Sequence, residues 1–266
     1  MVSRFNSFAR SGIARGLSFL PVTLLRRFEE QLQLAQGKGG GTASLAQEVR
    51  AGLSLLPASR RTKPVVFDIG ANVGEWSSTL LEIEPDASVV CFEPSQVASE
   101  ILSERFSRIS NVRIVQIGIG KQRETTQLWA DRAGSGLGSL SRRRLDHFGI
   151  DFSFTEKVEV TTLDEWTGIN DIYPDLLKLD IEGHELDALN GSTETLEHVS
   201  VVQFEFGGCN IDTRTYLQDF FYFFTERNFR IFRLGPNGVL PIRRYSERDE
   251  VFITSNFFAV SESVRS

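Results

Sequence analysis

Acidic side chains stand at the ends of three separate apolar runs of this chain. Asp68 comes just before a glycine-rich turn, Glu93 ends the second run, and Asp180 lies near the end of a later one. Carboxylates accept hydrogen bonds and can act as general bases. Open parallel sheets bind ligands at the edge where the carboxyl ends of their strands meet. We therefore expect these acids to share one ligand site.

The glycine-rich turn runs from Gly70 to Gly74 and is followed by a helix-like segment and a second apolar run. Glycine has no Cβ, so the backbone can turn sharply and approach a ligand closely. Glu93 lies 19 residues after Gly74, which is the reach of one helix and one strand. At that place its carboxylate can accept hydrogen bonds from both hydroxyls of a ribose. The arrangement favours a cofactor that carries a nucleoside.

Three classes of cofactor compete for this turn. A P-loop requires G-x-x-x-x-G-K-[ST], and the lysine is absent here. A dinucleotide site prefers G-x-G-x-x-G, whereas Gly70 and Gly74 are four residues apart. Asp68 would repel a pyrophosphate but would attract a cationic sulfonium ligand that carries an amino group. The turn therefore favours S-adenosylmethionine (SAM) over NAD.

Apolar runs alternate with helix-like segments from residue 65 onward, which predicts a three-layer α/β domain with a mostly parallel sheet. The runs show no polar alternation, as is typical of strands that are covered on both faces. The expected strands are residues 65–69, 88–93, 112–119, 124–129, 158–162, 176–181, 201–206, 229–234 and 251–260. The expected helices are residues 75–83, 97–106, 184–190 and 216–226, the last with a phenylalanine cluster that belongs to the core.

The chain of 266 residues is long enough for one large domain with an extension. The linker-like sequence GKGGGTAS divides it into an N-terminal helical arm with this Gly-rich linker, residues 1–60, and a domain of residues 61–266. The apolar stretch at residues 16–25 is too short to span a bilayer. We expect the arm to pack on the domain or on a second subunit of a homo-oligomer. A transit peptide or a helix that lies on a membrane surface is the alternative.

Charge and cysteine content indicate the class of partner and the cellular compartment of the protein. A net charge of −6 argues against a nucleic-acid partner. Cys91 and Cys209 show neither metal-ligand spacing nor a disulfide framework, and no secretory cleavage site precedes Arg26. We therefore expect a cytoplasmic protein.

Four segments, in their order and spacing, resemble the FkbM-type family of SAM-dependent methyltransferases. They are VVFDIGANVG, CFEPS, LLKLDIEGHELDAL and VVQFEF, which lie between residues 65 and 206. The resemblance implies a class I methyltransferase (Rossmann-like) fold, with a seven-stranded sheet in which one strand is antiparallel. It also implies methylation of a hydroxyl oxygen on a small molecule, a glycan or a lipid-linked acceptor.

The same resemblance assigns the cofactor-binding residues. Those expected at the methionine part of SAM are Asp68, Gly70, Asn72 and Gly74. The others are Glu93 at the ribose, together with Pro94, Gly118 and Asp180. Family members often carry a Gly-Asp pair whose acid meets the adenine, but here Lys121 follows Gly120. We expect backbone groups or Gln116 to take that place.

Methyl transfer to a hydroxyl requires a base, because a neutral hydroxyl is a poor nucleophile and must lose its proton. The candidate catalytic residues are Asp180, Glu182, His184 and Glu205. We expect Asp180 or Glu205 to be the base, with Glu182 orienting the acceptor. Two alternatives stay open, namely acids that cap a helix and carboxylates that bind a divalent cation, although no spacing specifies a metal site.

A loop rich in glycine and serine, residues 133–144, is the expected lid on the substrate side. Its arginines, Arg142 to Arg144, would attract a phosphate or carboxylate, so an anionic acceptor is one expectation. Two other functions remain as alternatives. One is a protein that binds SAM without catalysis. The other is an NAD-dependent oxidoreductase of a doubly wound fold, although the chain has no Tyr-x-x-x-Lys pattern.

Overall fold

The computed structural model describes residues 14–39 and 43–263. Its helices are α1 Val22–Ala35, α2 Leu45–Leu55, α3 Glu75–Ile83, α4 Gln96–Arg105, α5 Leu163–Asn170, α6 Glu185–Asn190, α7 Cys209–Thr213 and α8 Leu217–Thr225. Its strands are β1 Val65–Ile69, β2 Ser88–Phe92, β3 Val112–Val115, β4 Gly118–Ile119, β5 Glu124–Ala130, β6 Phe154–Thr161, β7 Leu176–Leu179, β8 Val201–Phe206, β9 Phe229–Gly235, β10 Gly238–Ile242 and β11 Ser255–Ser261. Short 3-10 helices lie at Ala58–Arg60, Asp146–Phe148, Thr195–Glu197 and Glu247–Asp249.

The strands form two sheets. The main sheet has the order β10-β9-β11-β8-β7-β1-β2-β3, and the smaller sheet has the order β4-β6-β5. Strands β8, β7, β1, β2 and β3 are parallel, whereas β11 is antiparallel to both of its neighbours and β10 is antiparallel to β9. The expected α/β class with a mostly parallel sheet is confirmed. The main sheet has eight strands instead of seven, because the pair β9–β10 adds an edge strand, and both β10 and β11 run against the parallel set.

The central strands are buried on both faces, which is why their sequences are continuous apolar runs. In β1, Phe67 and Ile69 pack into the core on one face of the sheet, while Val66 packs into the core on the other. Phenylalanine supplies much of the first core. The ring of Phe204 stacks on that of Phe220 with 4.9 Å between centroids. The phenylalanine cluster of α8 therefore belongs to the core, as predicted.

The expected third strand, residues 112–119, is not continuous. It is divided into β3 and β4, and between them the amide of Ile117 donates a hydrogen bond to the carbonyl of Val115 at 2.9 Å. This tight turn takes the chain out of the main sheet, so that β3 pairs with β2 while β4 pairs with β6. The smaller sheet therefore lies beside the carboxyl edge of the main sheet.

Helix α2 packs on the main sheet on the same side as α3. Val49 is fully buried in the core there, and a Cβ on Gly52 would lie 2.9 Å from Leu176 of β7. The helix begins with a capping box in which Ser44 and Gln47 bond each other's backbone amides. The division of the chain at residue 60 stays a prediction, although α2 contributes to the same core as the elements that follow it.

Helix α1 buries none of its residues, and Phe28 and Leu32 are exposed along it. The chain after the helix is anchored, because Lys38 Nζ donates to the carbonyl of Arg248 at 2.8 Å and the amide of Gly39 donates to Ser255 Oγ at 3.0 Å. Residues 1–13 of the expected arm and residues 40–42 of the linker lie outside the described residues. No helix in the described ranges is long and apolar enough to cross a membrane.

Candidate functional site

Five polar or glycine positions form one row across five neighbouring strands at the carboxyl edge of the main sheet. In order from β2 to β11, the row is Glu93, Gly70, Asp180, Glu205 and Asn256. The register sets this alignment, because Ile69 faces Phe92 on one side and Leu179 on the other. Neighbouring strands lie about 4.8 Å apart, so the row places Glu93 and Glu205 about 14 Å from each other.

A cavity lies at the Glu93 end of the row. Its polar lining includes Asn72, Glu93 and Asp180. Its apolar walls come from both sheets and from the segments between their strands, namely Phe92, Ile117, Ile119, Leu128 and Leu140. Pro94 and Gly118 line it, whereas Gln116 is exposed and does not. We call this the first cavity.

Glu93 is prepared to accept hydrogen bonds in the first cavity. It is 7% exposed, and its two carboxylate oxygens each accept one backbone amide at 2.8 Å, from Asn72 and from Ser95. These bonds hold the carboxylate in one orientation and leave further lone pairs for a ligand. Burial raises the pKa of Glu93 to about 7, and the two amides oppose that rise.

The turn after β1 requires glycine at position 70. Gly70 has a φ of +78°, and a Cβ there would collide with the carbonyl oxygen of Asp180. Gly74 also has a positive φ, but it packs against Leu102 and Phe106 and does not line the first cavity. Gly70 therefore allows the close approach of two strand ends, while Gly74 serves the packing of α3 on α4.

Gly70→Ala is expected to destabilise the fold by about 2 kcal/mol or more, because a left-handed alanine costs roughly 1–2 kcal/mol before the collision with Asp180 is counted. Gly168→Ala in helix α5 is a matched control, since a Cβ there meets nothing within 4 Å. The control should stabilise slightly, by about 0.5–1 kcal/mol. Urea unfolding of both variants measures the difference, and equal stabilities would contradict the steric argument.

Asp68 lines neither the first cavity nor the second one described below. It is fully buried, and it accepts hydrogen bonds from Lys178 Nζ at 3.0 Å and from Ser77 Oγ at 2.7 Å. Lys178 Nζ is also 3.4 Å from Asp180 Oδ2. Asp68 therefore acts on the site through Lys178, and the sequence analysis assigned it a direct contact that the geometry does not provide.

Lys178 is a site residue to which the sequence analysis gave no role. Burial by itself would lower its pKa, but the charges of Asp68 and Asp180 outweigh this effect and raise the pKa of Lys178 above its usual value. The signal was present in the sequence, because a lysine within an otherwise apolar buried strand must have a partner.

Asn72 carries an unpaired acceptor at the site. It has a φ of +48°, and its Oδ1 is buried with no hydrogen-bond partner among the residues that the structure describes. Buried polar atoms are almost always paired. A ligand that donates a hydrogen bond to this oxygen, such as one with an amino group, would satisfy it.

A second cavity opens at the other end of the row. It shares Gly70, Asn72 and Asp180 with the first cavity. Glu205 lines it together with two residues that the sequence analysis missed, Glu48 of α2 and Asn256 of β11. No local sequence signal marks either residue, because Glu48 comes from the helix before the glycine turn and Asn256 comes from the last described strand.

Glu205 is the candidate base whose carboxylate is not paired with a cationic side chain. It is partly buried, and none of the described residues forms a hydrogen bond or salt bridge with its carboxylate. Burial raises the pKa of Glu205 well above its usual value, and the nearby charges of Asp180 and Glu182 raise it further. A carboxylate with a raised pKa is a stronger base once it has lost its proton.

Glu182 and His184 line the first cavity but not the second. Alternate residues of the Gly/Ser loop bind them. Ser139 Oγ donates to the Glu182 carbonyl at 2.8 Å, Ser141 Oγ lies 2.9 Å from His184 Nε2, and Arg143 pairs with the Glu182 carboxylate. Burial raises the pKa of Glu182 to about 7 despite the charge of Arg143. Both residues are therefore engaged in holding the loop.

The loop covers the first cavity, since Ser135, Gly136 and Gly138 line it. Its motion as a lid stays a prediction. Its three arginines, Arg142 to Arg144, line one further cavity together, so the expected anion site stays a prediction. Arg142 lies over the ring of Trp129, Arg143 pairs with Glu182, and Arg144, whose side chain is 89% exposed, lies 3.2 Å from Asp146.

Glu185 supports the turn that carries Glu182. Its buried carboxylate accepts the backbone amides of Ile181 and Gly183 at distances between 3.0 and 3.2 Å. Glu182 itself has a φ of +54°, a left-handed conformation that needs such support. Glu185 is therefore a structural acid.

The carboxylates at the row are not arranged as a metal site in the described ranges. No group of three or more His, Cys, Asp or Glu side chains is placed there to hold an ion. Asp180 and Glu182 instead each have a cationic side chain as partner, Lys178 and Arg143.

Comparison with known proteins identifies relatives of this chain. A family model described as Methyltransferase FkbM domain matches residues 68–231. The 2-O-methyltransferase NoeI of Sinorhizobium fredii (strain NBRC 101917 / NGR234) is 27% identical over 202 residues, which cover 71% of this chain and 80% of NoeI. Methyltransferase sdnD of Sordaria araneosa is 26% identical over 173 residues, 55% of this chain and 66% of sdnD.

Among solved structures, methyltransferase FkbM from Methylobacillus flagellatus KT aligns with a TM-score of 0.47 and 20% identity. The alignment covers 74% of this chain and 44% of that one, so this chain spans less than half the length of that protein.

Proposed function

The chain belongs to the FkbM methyltransferase family, and from this premise we propose that it transfers a methyl group from SAM to a hydroxyl oxygen of a small-molecule, glycan or lipid-linked acceptor. One observation carries the proposal. The row places Glu93, suited to a ribose, and Glu205, suited to a hydroxyl proton, at opposite sides of Asp180, where the two cavities meet.

The residues of the first cavity fit SAM. Glu93 offers a buried carboxylate to the ribose hydroxyls, and the apolar wall formed by Phe92 and Ile119 suits an adenine ring. The unpaired Asn72 Oδ1 suits the amino group of the methionine part. When bound, SAM supplies an electrophilic methyl group on a positively charged sulfur.

The second cavity suits the acceptor, and Glu205 is the proposed base there. Its carboxylate accepts the hydroxyl proton as the oxygen attacks, a role that typically contributes about 10²–10⁴-fold to the rate. Asp180 lies one strand away with its carboxylate beside Lys178, at the place along the row where the two ligands meet. The positive charge of SAM in the first cavity favours the ionised form of Glu205. Glu205 is therefore ready to accept a proton when the methyl donor is bound.

Glu182 and His184 are proposed to act through the loop. Their contacts with Ser139, Ser141 and Arg143 close the first cavity and exclude water from it. In this proposal Glu182 orients the acceptor indirectly, by fixing the loop that borders the reaction centre. The cytoplasmic location, the homo-oligomer, the anionic acceptor and the lack of nucleic-acid partners stay predictions.

Thermal unfolding with added ligands tests the proposed function. SAM and S-adenosylhomocysteine should raise the Tm of the protein, because a ligand that binds the native state stabilises it by mass action, and NAD should not. Glu93→Gln should weaken the binding of both ligands roughly tenfold, since a charged acceptor of the ribose hydroxyls is lost. Glu82→Gln is the matched control, because Glu82 is an exposed acid of α3 that lines neither cavity.

Two results would contradict the cofactor assignment. One is stabilisation by NAD in place of SAM. The other is an equal response of wild type and Glu93→Gln to S-adenosylhomocysteine over a full titration. Stabilisation by SAM without methyl transfer to any component of a cell extract would instead favour the non-catalytic SAM-binding protein.

A further inference from the structure

The second cavity holds an excess of hydrogen-bond acceptors. Its charged lining consists of the carboxylates Glu48, Glu75, Asp180 and Glu205 and the single cation Lys178. Lys178 already pairs with Asp68 and Asp180. An anion would therefore meet net negative charge in this cavity, whereas a group that donates hydrogen bonds would find acceptors.

Glu48 reaches this cavity from helix α2. Its Oε1 accepts a hydrogen bond from Asn256 Nδ2 at 3.0 Å, and its Oε2 accepts one from Gln203 Nε2 at 3.4 Å. These two bonds hold the carboxylate in place and leave lone pairs for a ligand. Burial raises the pKa of Glu48 to about 7, which marks a carboxylate that has lost much of its hydration.

Asn256 connects Glu48 to the proposed base. It is the register partner of Glu205 on the neighbouring strand β11. Paired residues of antiparallel strands have Cα atoms about 4.5–5.5 Å apart. Glu48 and Glu205 therefore reach the same cavity, one from the helix that covers the sheet and one from the edge of the sheet, with Asn256 next to both.

Trp76 also lines this cavity. It is 4% exposed, and its Nε1–H is buried with no acceptor among the described residues. The carboxylates of the cavity match a hydroxyl, because a hydroxyl can donate a hydrogen bond to them.

We propose that Glu48, supported by Asn256, binds a second hydroxyl of the acceptor next to the hydroxyl that Glu205 deprotonates. The part of the acceptor in this cavity is then an uncharged polyol and not an anion. The inference rests on the proposed function, because it takes the second cavity as the acceptor site. Glu48 and Asn256 both lie outside residues 68–231, so selectivity for the acceptor comes from parts of the chain that the family model does not match.

Calorimetric titration at saturating S-adenosylhomocysteine tests this inference with two panels of probes, methyl hexopyranosides and the matching methyl hexuronides. The ring and its hydroxyls are shared, but in the hexuronides a carboxylate replaces the exocyclic hydroxymethyl group. Wild type should bind the neutral panel more tightly. Glu48→Gln should weaken the binding of the neutral probes roughly tenfold and reduce their advantage over the hexuronides, because a charged acceptor becomes a neutral amide. Glu82→Gln should behave as wild type.

Asn256→Ala provides a second variant of the same contact if Glu48→Gln unfolds, and it should also weaken the neutral probes. The inference is overturned if wild type prefers the hexuronides, if it binds neither panel, or if the variants bind the neutral probes as wild type does. Binding of S-adenosylhomocysteine is recorded for every variant. If the wild type does not bind S-adenosylhomocysteine, the proposed function itself is overturned. If the variants still bind S-adenosylhomocysteine and bind the probes as wild type does, only the assignment of Glu48 is overturned.

Discussion

Replacing Glu205 by glutamine is expected to lower kcat about 10²–10⁴-fold, because the acceptor hydroxyl loses the group that takes its proton. Glutamine has nearly the shape of glutamate but cannot act as a base. The affinity for S-adenosylhomocysteine should remain, since Glu205 lines the second cavity and not the first. The measurement is transfer of labelled methyl groups to an acceptor found by screening cell extracts.

The pH dependence of this reaction provides an independent check on Glu205. Its pKa is raised above the usual carboxyl value by burial and by neighbouring negative charges. Because a base must be ionised, the wild-type kcat should rise with pH as Glu205 loses its proton, at a pH above the ordinary carboxyl range. Glu205→Gln should lack this ascending limb.

The variant Asp180→Asn distinguishes between the two candidate bases, Asp180 and Glu205. Asp180 lines both cavities and lies beside Lys178, so this variant should change the affinity for S-adenosylhomocysteine as well as the rate. A Glu205→Gln protein that keeps its turnover while Asp180→Asn loses it would assign the proton transfer to Asp180. Full turnover in both variants would exclude a carboxylate base at this row.

Lys178→Met is expected to destabilise the fold by about 3–5 kcal/mol, because removal of one partner leaves a buried charge without compensation. The Asp68 carboxylate is fully buried, and Lys178 is 5% exposed and 3.0 Å from it. The double variant Lys178→Met with Asp68→Asn should recover much of this loss, because it removes the stranded charge. Urea unfolding gives the free energy of each variant.

An exposed ion pair serves as the control for this prediction. Arg123 pairs with Glu165 at 2.6 Å, but the arginine side chain is 74% exposed. Arg123→Met should leave the stability almost unchanged, because exposed pairs are screened by water. If Lys178→Met lowered the free energy of unfolding as little as this control, the ion pair of Lys178 with Asp68 would not be what stabilises the carboxyl end of β1.

Local patterns determined the central elements of the fold. The predicted bounds of β1, α3 and β8 agree with the structure, because a continuous apolar run between turn residues specifies a strand without reference to the rest of the chain. Helix α5 was missed although Thr162 and Glu165 form a recognisable N-cap at its start. The division of the third strand was missed because it depends on pairing with β6, about 40 residues further on.

The candidate site was also predicted only in part. Apolar runs predict that Glu93, Gly70, Asp180 and Glu205 lie at carboxyl ends of strands, since each ends or directly follows such a run. Their alignment in one row, and the contribution of Glu48 and Asn256 to the second cavity, depend on how the strands and α2 pack together. Strand register and the docking of α2 depend on burial between segments that are separated along the chain, by 23 residues for Val65 and Ser88 and by 155 for the bond of Gln203 to Glu48. No local pattern encodes such a contact.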